Sequence, residues 1–143
     1  MLRFENHVGR LLELRADSPL TVEQMHQGVK DITAILSMHT RPMVCCADFR
    51  KLGIMSKEVT EIIVATMRSD NPKIERSAYL IPSASATAGL QWERLVREGL
   101  NPVRRLYRDD DYAGLLAYLD EALDAAERTR MRSFYDENMR VSA

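Results

Sequence analysis

The sequence predicts an α/β domain with a mixed, mainly parallel sheet and the element order ββαβαβαβα. Three observations carry that expectation. Short apolar runs at residues 43–47, 77–81 and 103–107 have strand length, and the segments between them show a 3.6-residue apolar period. Strands joined through helices need crossover connections, which make them parallel neighbours. Ahead of the first run, Leu2 and Phe4 alternate with polar residues, and Leu12 and Leu14 share a face beyond a polar turn, as in an opening hairpin.

Each element has its own local reason. Thr21 and Gln24 have capping-box spacing, and Val22, Met25, Val29, Ile32 and Leu36 then form one helical stripe that runs past Gly28 and stops before Pro42. Val59, Ile62, Ile63, Thr66 and Met67 make a second stripe, ended by the polar turn at 69–72. A third helix, about 84–98, carries Ala88, Gln91, Trp92 and Leu95 near one face and stops at Gly99 and Pro102. Asp109, Asp110 and Asp111 offer cap and first-turn carboxylates to a fourth helix with Leu115, Leu116, Leu119, Ala122, Leu123 and Ala126 in its stripe. Residues 1–127 therefore read as one domain and 128–143 as a charged helical extension or tail reaching beyond its body.

Composition narrows the function. A chain of 143 residues with 45% apolar content suits a single globular domain. Twenty basic against 21 acidic residues, a net charge of -1, provide no overall drive towards nucleic acid. No window approaches the roughly 18 apolar residues of a membrane span, and the first ten residues lack a signal-peptide core, so the expected compartment is the cytoplasm. Cys45 and Cys46 are neighbours in an apolar run and read as small core residues in a reducing compartment.

The centre of the chain is residues 41–57, where the apolar run at 43–47 ends on Asp48, passes through a polar loop, and reaches Ser56 as the second helical stripe begins. A strand ending in an acidic residue, a short loop and a serine opening the next helix, within the order ββαβαβαβα, resembles the STAS domain of bacterial anti-sigma factor antagonists. Ser56 stands eight residues after Asp48, in the place of the serine phosphorylated in such antagonists, with Met55 where their motif has an aspartate. The stretches ERSAYLIP at 75–82, LQWERLVREGLNP at 90–102 and RRLY at 104–107 are similar to a bacterial group described as STAS-like or SpoIIAA-like. The resemblance implies a STAS-like domain with helices mostly on one face of the sheet, no catalysis, and a regulatory contact with a protein partner.

The residues themselves allow two weighings. Ser56 is suited to cap a helix through its hydroxyl, and a phosphate there would sit at the positive helix end with Arg50, Lys51 and Lys57 close in sequence, though near Glu58 and Glu61. Arg94, Arg97, Arg104 and Arg105, preceded by Arg76, form a basic set that could hold an anion or a solvated face paired with acidic neighbours. Trp92 and Tyr107 read as packing residues. No glycine-rich phosphate loop, nucleophile elbow or metal-ligand spacing among His7, His26 and His39 is present, so neither an enzyme, a metal nor another cofactor is expected.

Three functions follow as expectations. The first is a non-catalytic interaction or regulatory module using the loop from Asp48 to Ser56, with Arg50, Lys51 and Lys57, and the following helix. The second is a small-ligand or lipid-binding domain, which an unfilled apolar pocket between helices and sheet would favour. The third is a self-associating subunit, in the simplest case a homodimer.

Overall fold

The structure is a computed structural model that describes residues 1–142, with side chains to residue 137. Strands β1 (Leu2–Glu5) and β2 (Leu11–Ala16) form the hairpin, followed by α1 (Val22–Ser37), β3 (Met43–Asp48), α2 (Lys57–Asp70), β4 (Ile74–Ile81), α3 (Ala86–Glu98), β5 (Arg104–Arg108), α4 (Tyr112–Asp120) and α5 (Ala125–Ser142). The expected element order is present, with one helix more. The sheet runs β1-β2-β3-β4-β5; β1 is antiparallel to β2 and the remaining pairs are parallel.

This strand order decides where the helices go. Each crossover moves one strand further in the same direction, and crossovers of one hand then place α1, α2 and α3 on the same face. That face packs Met25, Ile32 and Leu36 of α1, Val59 and Met67 of α2, and Trp92 and Leu95 of α3 against Leu12, Leu14, Met43, Cys45, Tyr79 and Ile81. The strand period of two sends the alternate residues, Leu11, Val44, Cys46, Ala78 and Leu80, to the other face. There they meet Leu115 and Leu119 of α4 and Met131, Phe134 and Tyr135 of α5.

Two expectations are corrected by this second layer. Helices cover both faces, three on one and two on the other, because central parallel strands such as β3, buried at all six positions, leave no side to solvent. The chain after Glu127 also belongs to the body: the fourth helix stops at Asp120, the chain turns, and α5 lies back on the sheet with Met131 and Tyr135 fully buried. Reciprocal bonds start it, with Asp124 N–H donating to Glu127 Oε1 and Glu127 N–H to Asp124 Oδ1, while Arg10 N–H donates to Glu127 Oε2. The end of the expected tail, residue 143, lies outside the described residues.

Local signals at the other termini are as anticipated. Thr21 and Gln24 form the capping box of α1. Gly28 sits where α1 crosses β1 most closely: a Cβ there would overlap Leu2 and come within 3.2 Å of Phe4. No described helix is long and apolar enough to cross a membrane.

Candidate functional site

Two places hold the residues of interest, the loop after β3 and a cavity beneath α1 and α2. In the loop, Asp48 is buried and accepts from Arg50 three times, from its backbone N–H at 3.1 Å, Nε at 2.9 Å and Nη2 at 2.7 Å. Arg50 Nη2 also donates to the Tyr135 carbonyl, so this guanidinium ties the loop to α5. The rest of the loop is held through Ser18, whose N–H donates to the Lys51 carbonyl and whose Oγ accepts from Gly53 N–H. At its end, Met55 N–H donates to Gln91 Oε1 and Gln91 Nε2 to the Met55 carbonyl, each at 3.0 Å, a two-bond joint to α3.

Ser56 is exposed and caps α2, its Oγ accepting from Val59 N–H at 3.3 Å. Lys51 and Lys57 are exposed, and Lys57 lies 3.8 Å from Glu61 across one helical turn. Of the loop's expected site residues, Asp48 and Arg50 are therefore brought together as a buried staple, while Ser56 and Lys57 open the helix. Ile54 and Leu90, the residues immediately before Met55 and Gln91, leave 64% and 67% of their surfaces in solvent. Beside the joint an open groove of about 710 Å³ runs between α2 and α3, lined by Lys57, Glu61, Val64, Arg68, Gln91 and Arg94.

The four arginines expected as one basic set are not brought together. Neighbouring positions on a strand face opposite ways, so Arg104 and Arg105 part company. Arg104 is buried on the first face, where Nε donates to Asn71 Oδ1, Nη1 to the Tyr79 hydroxyl and Nη2 to the Met67 carbonyl. Arg105 lies over the Tyr118 ring on the second face, 4.2 Å from its centroid. Arg94 and Arg97 are exposed on α3, Arg94 within 3.8 Å of Glu98.

The cavity is the feature the sequence reading did not place. It holds about 80 Å³ and is walled by Leu2, Phe4, Met25, Ile32, Ile63 and Met67 together with Phe49, Tyr79, Trp92, Asp70, Thr66 and Arg104. Phe49, Trp92 and Tyr79 stack at centroid distances of 4.6 to 5.6 Å. Among the described residues, three buried side-chain atoms have no hydrogen-bond partner: the Trp92 indole Nε1, Asp70 Oδ2 and Ser77 Oγ. Burial pushes the Asp70 carboxyl above its ordinary value, against the pull of Arg104 and Lys73. Outside it, between α1 and α2, an open groove of about 310 Å³ is lined by His26, Val29, Thr33 and Ile62, and shares Thr66 and Asp70 with the cavity.

A buried polar atom without a partner costs about 1–3 kcal/mol relative to one satisfied by water. The two cysteines offer no reactive alternative nearby: burial pushes the Cys45 thiol up to about 11, opposed by Ser77 and Arg104, and raises that of Cys46 as well. No group of three metal-ligating side chains occurs among the described residues.

No family model matches the chain, and no curated protein sequence matches it.

Proposed function

We propose that the chain is a non-catalytic, STAS-like interaction module of the bacterial cytoplasm that meets a protein partner with the loop from Asp48 to Ser56 and the exposed side of α2. The observation that supports this reading is the exposure of Ile54 and Leu90 beside the Met55–Gln91 joint. Large apolar side chains held in solvent by a fixed backbone are what a partner's apolar anchors would cover, and the charged groove between α2 and α3 supplies a polar rim. Ser56, at the positive end of a 14-residue helix, is the place where a phosphate would change that contact.

The experiment is capture of partners from the native host by the full chain and by Ile54→Asp, Leu90→Asp and Ser56→Glu variants with unchanged circular dichroism. One protein recovered by the wild type and lost with Ile54→Asp and Leu90→Asp supports the surface, and its loss or gain with Ser56→Glu supports the switch. Recovery of the same proteins by all four chains contradicts both. A second copy of the chain as the partner would appear as a dimer mass in light scattering.

A second reading, a small-ligand or lipid-binding domain, is favoured by a different observation, the mostly apolar pocket of about 80 Å³ beneath α1 and α2.

A further inference from the structure

We infer that the partner seated on the face of α2 and α3 is a second copy of this chain, in a two-fold, antiparallel arrangement. This inference rests on the interaction-module reading and names its partner.

The face has two ends, and hydrogen bonds fix which residues belong to each. Because α2 and α3 both connect parallel strands, they run side by side in the same direction. Their starts are joined through Met55 and Gln91, where Ile54 and Leu90 are exposed. Their finishes are joined by Arg68 Nε and Asn71 Nδ2, which donate to the Glu98 and Gly99 carbonyls. Leu100 follows at once, 70% exposed and with φ at 60°, the left-handed backbone on which helices ordinarily place glycine. Among the described residues, four large apolar side chains are exposed, and three of them stand at the two ends of this groove. Exposure and backbone strain both count against Leu100 in an isolated chain, and burial by a partner removes the first.

A two-fold contact uses the same patch on both copies, so an antiparallel one lays the start of one face against the finish of the other. Ile54 and Leu90 then meet the partner's Leu100, apolar against apolar. Along the groove side of α2, an axis between Val64 and Ala65 sets Glu61 opposite the partner's Arg68 and Arg68 opposite the partner's Glu61. Both side chains are exposed, and Arg68 donates to a carbonyl, leaving its charge to be met by a carboxylate from outside. A parallel pairing would set Glu61 against Glu61 and Arg68 against Arg68. Opposed helix dipoles favour the antiparallel direction as well, and the small Ala65 side chain at the crossing lets the helices approach.

The test is sedimentation equilibrium of the untagged full-length chain at increasing concentration, where twice the chain mass is expected. Glu61→Arg and Arg68→Glu each place like charges at both contacts and should each weaken dimerisation by about tenfold or more. An equimolar mixture of these two variants should restore it, because each contact then joins an arginine of one to a glutamate of the other. Leu100→Gly relieves the backbone, so it should unfold no more easily than the wild type and yet dimerise about tenfold less tightly. A dimer that survives all three variants, or that the mixture fails to restore, overturns this arrangement. A chain that stays monomeric while a different protein is captured, and lost with Ile54→Asp and Leu90→Asp, overturns the second copy and leaves the interaction surface standing. A monomer that captures nothing overturns both.

Discussion

On the sheet face covered by α4 and α5, buried charges come in pairs, whereas on the face covered by α1, α2 and α3 three buried side-chain atoms, of Asp70, Ser77 and Trp92, have no hydrogen-bond partner. Glu13 receives Arg130 through two bonds at 2.8 and 2.9 Å, Asp48 receives Arg50, and the Tyr135 hydroxyl donates to the Ala47 carbonyl. The first face buries Arg104 as well, with every guanidinium nitrogen donating, yet leaves Trp92 Nε1, Ser77 Oγ and Asp70 Oδ2 buried without partners. One face is finished as core. The other leaves some of its buried polar atoms without hydrogen-bond partners.

The largest expected effect is on the finished face. Tyr135→Ala removes a fully buried ring from α5 and should cost about 4 kcal/mol in urea unfolding. If the variant lost less than about 1 kcal/mol, α5 would not be part of the core and the comparison would fail. Next, Arg130→Met keeps the stem but leaves the Glu13 carboxylate buried without its guanidinium. A loss of about 3 kcal/mol is expected, below the top of the range for buried pairs because Arg130 is partly exposed.

Ser56→Ala probes the start of α2. Loss of the cap bond to Val59 N–H should lower stability by about 1 kcal/mol, measured by thermal unfolding. A change in partner recovery beyond that loss would be the mark of a functional serine.

The smallest effect should come from Asp70→Asn on the unfinished face, and its sign is the informative part. The folded-state pKa of Asp70 is raised above its ordinary 3.8 by burial, so the folded chain holds this proton more firmly than the unfolded one. Its contribution is fully present below pH 3.8 and is lost as pH rises through the higher folded value. Relative to Asp70→Asn, the wild type should therefore lose stability from about pH 4 upward and reach a plateau above the folded pKa. A wild type that gains on the variant over this range would mean that Asp70 has a partner after all.

Much of the fold was legible because its signals are local. The Thr21–Gln24 spacing, the Ser56 cap and the apolar run at 43–47 each specify an element without reference to anything distant. The second layer was not, because α5 shows mostly charge, and its apolar positions, Met131, Phe134 and Tyr135, have meaning only once a bare sheet face exists for them to cover. Their spacing of three and four residues was the available signal. The arginine set failed for a related reason: adjacency of Arg104 and Arg105 in sequence is separation across a strand. The cavity gathers residues from β1, α1, α2, β4, α3 and β5, and no local pattern marks such an assembly. Asp70 read as part of a polar turn, and Trp92 read correctly as packing, but the missing partner of its indole is a property of three-dimensional structure alone.

The difference between the faces is tested most directly by the single indole N–H resonance of Trp92 in a proton–nitrogen correlation spectrum. Buried without an acceptor, this N–H should resonate upfield of the same signal in the urea-unfolded chain, where water accepts from it. A folded-state resonance at or downfield of the unfolded one would mean that the indole has a partner and would contradict the difference between the faces.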